Sequence, residues 1–271
     1  MKTLRVLSLG AGVQSTTLAL MIEKGEIPMV DCAIFADTGA EPKEVYTHLE
    51  WLKKQLSYPV HIVQWRNLKD DVISHSLGEY SKFTAPFFTK DFKTGKKQIL
   101  KRQCTFDYKI KPVLQKIRQL MGYEKGERVN TKEWKVEQLM GISTDEMQRM
   151  KINPNKYITN QYPLVEKDMT RGHCFQWVNK NNYPKPPRSA CTFCPYHTNK
   201  EWAKIKENKK EWEEVVTIDF AIRNTDMKHN KKKGLMYLHS DCIPINQIDF
   251  NEDDGQFAFD FKDECEGMCG L

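Results

Sequence analysis

Apolar positions along the chain switch between a strand period and a helix period, and the switches mark out elements. Leu4 to Ser8 is a short, mostly apolar run read as a strand, and helical spacing takes over from about Ser15 to Lys24. "VDCAIFAD" (Val30 to Asp37) is apolar almost throughout, the pattern of a strand covered on both faces. Pro42 to Leu56 returns to helical spacing with Val45, Leu49 and Leu52 on one face, and "PVHIVQW" (Pro59 to Trp65) is a third strand. Leu77 to Arg102 has no clear period and reads as a long loop or excursion. "FDYKIKPVLQKIRQLMG" resumes a helix, "VEQLMGIS" (Val136 to Ser143) is a further strand, and Glu201 to Asn224 is one or two amphipathic helices.

This alternation predicts parallel βαβ units. The expected fold class is α/β: a doubly wound, mostly parallel sheet with helices on both faces, followed by a Cys-containing C-terminal helical extension. The expected division is 1–165 for the α/β part and 166–271 for the extension, packed together as one unit. The acidic tail "DFNEDDGQFAFDFKDECEGMCGL" is expected to be a partly mobile end.

Composition narrows the classes. A chain of 271 residues with 39% hydrophobic content can bury a core, and no apolar run approaches the roughly 20 residues of a membrane span. "MKTLRVLSLG" reads as a first strand rather than a signal peptide, so a cytoplasmic protein with no membrane contact is expected. The formal charge of +6 suits a phosphate-bearing ligand or a nucleic acid and decides neither. Lysines cluster from Lys93 to Arg102 and from Lys228 to Lys233, either as solvated loops or as phosphate or nucleic-acid contacts. A reducing cytosol makes a disulfide framework the poorer use of eight cysteines; metal, cluster or redox use is the better one.

Two chemically loaded loops leave strand ends, "SLGAGVQST" and "FADTGAEP". Ligands of doubly wound sheets bind at such ends. Small residues before a helix start let backbone N–H groups approach an anion, and the helix dipole adds positive potential. The alternative is a tight turn with an N-cap. The loop has neither the Gly-Lys-Ser/Thr of a Walker A motif nor a dinucleotide fingerprint.

"SLGAGVQST" followed by a second strand ending in "DTG" resembles the PP-loop, or adenine-nucleotide α-hydrolase-like, superfamily, and within it the PAPS reductase branch. The resemblance implies a phosphate or sulfate loop of Ser8, Gly10, Gly12, Gln14, Ser15 and Thr16, with Asp37, Thr38 and Gly39 beside it. ATP-cleaving members carry an Asp before the loop serine, where this chain has Gln14. "GISTDEMQRMK" is similar to a strand-end segment of the family and puts Asp145, Glu146 and Arg149 in the pocket, or else makes them a helix start. Lys109, Lys111, Arg171 and Arg188 are candidate anion contacts.

"RSACTFCPYH" holds Cys191 and Cys194 as a C-x-x-C pair, able to offer two thiolates to one metal or cluster. "RQCTFDYKIKPVL" resembles the segment of sulfonucleotide reductases that supplies cluster cysteines. The resemblance implies Cys104, Cys191 and Cys194 as ligands of a [4Fe–4S] cluster, with zinc as the alternative. The fourth position is open to substrate sulfur or filled by Cys174, Cys265 or Cys269. The tail "ECEGMCGL" resembles the family's C-terminal Glu-Cys-Gly-Leu, whose thiol attacks a sulfonyl sulfur, so Cys269 and Cys265 are the candidate nucleophiles. His173 and His197 read as structural histidines.

Three functions follow. The first is thiol-based sulfur chemistry on an adenine sulfonucleotide (PAPS or APS), with a dithiol reductant protein as partner. The second is ATP-dependent modification of an RNA or DNA base, most naturally thiolation, with AMP and pyrophosphate released and Mg as an accompanying ion. The third is a zinc-stabilised nucleic-acid-binding protein without catalysis. Substrate and oligomeric state are open.

Overall fold

The computed structural model describes residues 1–76, 85–91, 93–223 and 234–250. The expected α/β architecture is present. Strands β1 (Lys2–Leu9), β2 (Cys32–Ala36), β3 (Val60–Val63), β6 (Trp134–Met140) and β7 (Ile158–Gln161) form one sheet in the order β3-β2-β1-β6-β7, every pairing parallel. β2 is buried at every position, as its unbroken apolar run requires.

Helices α1 (Val13–Glu23) and α2 (Lys43–Lys53) pack on one face, where Leu7, Leu9, Ala33 and Phe35 meet Leu18, Ile22, Leu49 and Leu52. Helix α4 (Lys111–Leu120) covers the other face, with Val113 and Ile117 against Val6, Cys32, Ile34 and Val136. A turn of π-helix, Thr105–Ile110, leads into α4. The short α5 (Pro163–Glu166) and α6 (Arg171–Lys180) follow β7, and α6 seals the α1 side through Cys174.

A second core forms around buried Trp202, from α3 (Leu68–Ser76), α7 (Asn199–Glu207) and α8 (Lys209–Arg223). Beside it lies a small antiparallel sheet of β4 (Phe88–Lys90), β5 (Lys97–Ile99) and β8 (Leu235–Tyr237) in the order β5-β4-β8, of which Met236 reaches into this core. The expected loop between Leu77 and Arg102 therefore contains two strands; three-residue strands form only because a distant partner, β8, completes the ladder. Among the described residues no helix is long and apolar enough to cross a membrane.

From β1 the chain builds outward to β3, then returns to the opposite side of β1 as β6. The strand order thus reverses between β1 and β6, and a ligand crevice is expected at their carboxyl ends.

Candidate functional site

The loop Gly10–Gly12 carries β1 into α1. Gly12 caps the helix without any side-chain hydrogen bond, and Ala11 adopts φ of +59°. A non-glycine residue in that left-handed region is uncommon, and such positions concentrate at ligand loops. Ser15 folds back on the loop: its Oγ accepts from the Gly10 N–H at 3.2 Å and lies 3.4 Å from the Gly12 carbonyl. Gln14, Ser15, Thr16 and Thr17 are all buried, so these polar groups are not a solvated cap. Thr17 Oγ1 donates to the Val13 carbonyl at 2.8 Å. Thr16 Oγ1 lies 3.0 Å from His48 Nε2. Gln14 Nε2 lies 3.4 Å from Ser143 Oγ, but Gln14 Oε1 is buried without a hydrogen-bond partner. A buried amide oxygen left in that state carries a desolvation cost of about 1–3 kcal/mol.

The end of β6 presses on the same turn. A Cβ on Gly141 would stand 2.8 Å from the Ser15 nitrogen and 2.9 Å from its Cα. Beyond it, Ser143 Oγ donates to Asp145 Oδ1 at 2.5 Å, and Asp145 accepts from the Arg171 N–H at 3.1 Å. Ser8 Oγ accepts from Gln138 Nε2 at 2.8 Å. The segment expected to line the pocket thus meets the β1 loop through Gln14 and Ser143. The Arg149 side chain is mostly covered and paired with the buried Glu146 at 2.6 Å.

After β2, Asp37 Oδ1 accepts from the Gly39 N–H and from the Tyr46 hydroxyl, both at 2.7 Å. Burial, first, and that bond to Asp37 push the Tyr46 hydroxyl well above its usual range. Thr38 is the junction of the loop. Its Oγ1 lies 3.4 Å from Glu41 Oε1, 3.4 Å from Cys191 Sγ and 3.2 Å from the Ala40 N–H that donates to it. Glu41 is ion-paired with Lys109 at 3.0 Å, with both side chains almost wholly excluded from solvent. Lys109, expected as an anion contact, is instead committed to this internal carboxylate. The C-x-x-C turn sits on the loop through a second bond, from the Thr192 N–H to the Ala40 carbonyl at 2.8 Å.

The cysteines divide. Cys104, Cys191 and Cys194 belong to the apolar neighbourhood around Trp202, whereas Cys174 is buried between α1 and α6, where its carbonyl lies 3.4 Å from Thr17 Oγ1. Among the described residues no three His, Cys, Asp or Glu side chains converge on a position for a metal ion. Cys265 and Cys269, like the lysines from 228 to 233, lie outside the described residues. His197 Nε2 is 2.8 Å from the Cys191 carbonyl and braces the turn, and His173 completes a capping box with Thr170. Arg188 pairs with Glu201, Lys111 lies 4.2 Å from the centre of the Trp65 ring, and Arg171 stacks on Phe175.

His48 has no motif around it and sequence reading misses it; its only signal is a polar residue on the apolar face of α2. It also lines a groove of about 1150 Å³ with Pro42, Trp51, Arg171, Phe175 and Arg188. Burial pushes the His48 imidazole down to about 4 and, with the Arg188 charge second, that of His197 to about 3. Both are neutral when folded, while unfolded histidine takes up a proton below about 6.5. The unfolded state therefore binds more protons between those values, and stability falls as pH drops from about 6.5 towards 4. Urea unfolding across that range should show a larger acid loss for the wild type than for His48→Gln; equal losses would remove His48 from the account.

These features place two glycine- and hydroxyl-bearing loops at the switch point of a doubly wound sheet, with the C-x-x-C turn against the second of them. No family model matches the chain, and no curated protein matches it. Among solved structures it is similar to the crystal structure of phosphoadenylyl-sulfate (PAPS) reductase from Candida auris in a phosphate complex. The identity is 14% and the TM-score 0.42, and the match covers 69% of this chain and 75% of that one.

Proposed function

We propose that the chain is an adenine-nucleotide-binding enzyme of the sulfonucleotide-reductase type, with thiol chemistry at the bound sulfonate. The observation that carries this reading is the contact between Thr38 of the β2 loop and Cys191 of the C-x-x-C turn, 153 residues apart in sequence and 3.4 Å apart in space. It supports the reading by bringing a thiol of the C-x-x-C turn against the loop assigned to the nucleotide. In the proposed reaction the loop from Gly10 to Thr16 holds the phosphate end of the nucleotide. A tail thiolate, Cys269 or Cys265, attacks the sulfonyl sulfur; the S–O bond to the phosphate breaks, and the nucleoside phosphate leaves with that electron pair. The resulting Cys–S–SO3⁻ is then attacked by a dithiol reductant, which becomes a disulfide and releases sulfite.

A [4Fe–4S] cluster on Cys104, Cys191 and Cys194, with zinc as the alternative, belongs to the proposal. These thiols share an apolar neighbourhood. Iron, sulfide and zinc analysis after anaerobic purification tests it, and a colourless zinc protein removes it.

The reaction itself is tested by incubating the protein with PAPS or APS and a dithiol protein while following sulfite and pyrophosphate. Sulfite without pyrophosphate is expected, with turnover abolished by Cys269→Ser or Cys265→Ser. Pyrophosphate released from ATP only when RNA or DNA is present would replace this reading with base modification.

A further inference from the structure

The β4–β5 hairpin concentrates charge in a way the nucleotide site does not use. Between Lys90 and Arg102 the chain carries Lys90, Lys93, Lys96, Lys97, Lys101 and Arg102 against a single acid, Asp91. Pairing places Lys90 directly opposite Lys97 across the ladder, a like-charge juxtaposition that works against the hairpin. The one carboxylate, Asp91, closes the turn and offsets only one of the six positive charges: Oδ1 accepts from the Lys93 N–H at 3.0 Å, the Thr94 N–H at 2.7 Å and the Thr94 hydroxyl at 2.8 Å. These bonds hold the Asp91 carboxyl below its ordinary range. Lys97 reaches Asp241 only at 3.9 Å, and among the described residues no carboxylate stands at ion-pair distance from Lys90, Lys93, Lys96 or Lys101.

Apolar groups accompany these cations. β5 is exposed at every position, Ile99 is 38% exposed, and Phe106, seven residues further along the chain, is 48% exposed. Between them Arg102 lies over the Tyr196 ring at 5.4 Å, which ties the base of the hairpin to the C-x-x-C turn. Cations on an exposed hairpin, with Ile99 exposed on the same strand and Phe106 exposed soon after it, suit a phosphate backbone with unstacked bases resting on the apolar groups.

We propose that the β4–β5 hairpin binds single-stranded nucleic acid, with Lys90, Lys93, Lys96 and Lys97 on the phosphates and Phe106 and Ile99 under the bases. A strand seated there runs towards the thiol turn. The surface is independent of the sulfonucleotide reading and stands or falls separately.

The test is fluorescence anisotropy of the full chain with a labelled oligothymidylate of about 15 nucleotides, repeated from about 50 to about 200 mM salt. Affinity should fall with salt along a log–log slope of about −0.7 per phosphate contacted. The triple variant Lys93→Gln/Lys96→Gln/Lys97→Gln should lose at least about tenfold in affinity at low salt and flatten the slope by about two. Phe106→Ala should weaken the single strand several-fold but not heparin. Lys53→Gln/Lys54→Gln on α2 should change nothing, and unchanged melting curves show that the variants are folded. Wild-type affinity and slope in the triple variant overturn the proposal. So does equal binding of polyglutamate or heparin with no effect of Phe106→Ala, which would identify a surface for acidic proteins.

Discussion

Lys109→Met is expected to lower the unfolding free energy by about 3–5 kcal/mol, the cost of leaving a buried charge without its partner. The partner is Glu41, whose side chain is fully excluded from water, as that of Lys109 nearly is. Neither ion can be rehydrated in place when the other is removed. The double variant Lys109→Met/Glu41→Leu should recover most of the loss, because replacing both members of a buried pair by apolar groups is often neutral or better. Urea unfolding of the wild type, both single variants and the double variant closes the cycle. If Lys109→Met alone costs less than about 1 kcal/mol, the pair behaves as a surface salt bridge and the burial argument is wrong. The location makes the result matter beyond stability. Glu41 meets Thr38 at 3.4 Å, and Thr38 meets Cys191, so the pair anchors the loop on which the thiol turn sits.

Gly141→Ala should damage folding and ligand binding together. The added methyl would stand 2.8 Å from the Ser15 nitrogen and 2.9 Å from its Cα, both backbone atoms of the first turn of α1. A flexible side chain could swing away; backbone cannot, so β6 and α1 must separate by several tenths of an ångström. Overpacking of this kind costs about 1–3 kcal/mol. The displaced atoms are the candidate anion cradle, so adenine-nucleotide affinity measured by calorimetry should drop at least about tenfold, beyond any loss of folded protein. Undiminished affinity in a folded Gly141→Ala protein would place the ligand elsewhere.

The elements that could be read along the chain are those whose pattern is local and repeated. β2 shows as an unbroken apolar run and α2 as Val45, Leu49 and Leu52 on one face, and both are where that pattern puts them. The short strands β4, β5 and β8 carry three residues each, too few to show a period, and exist because they pair with one another. α6 buries only Cys174 and Val178, so its apolar stripe is too narrow to announce a helix. The π-helical turn before α4 is likewise invisible, since one extra residue per turn leaves the surrounding period almost intact.

The site divides the same way. Both strand-end loops could be read from composition, because glycines and hydroxyl residues between a strand and a helix have few other uses. The hydroxyls read as phosphate donors or as an N-cap are buried, and Gln14, read as a substitution in a motif, has a buried carbonyl oxygen without a partner. Nothing local distinguishes Lys109, paired inside the protein, from the exposed Lys93 and Lys96. Cys174, a candidate fourth ligand beside the C-x-x-C pair, belongs to a different core from Cys191. The sequence by itself determined the parallel sheet and the two loops at its strand ends, because periodicity and turn chemistry act between near neighbours. Only the tertiary structure decided that Thr38 meets Cys191, that Gly141 bears on Ser15 and that Arg102 lies over Tyr196 beside the C-x-x-C turn. Those contacts depend on which distant segments the sheet and the second core bring together, and no local pattern encodes them.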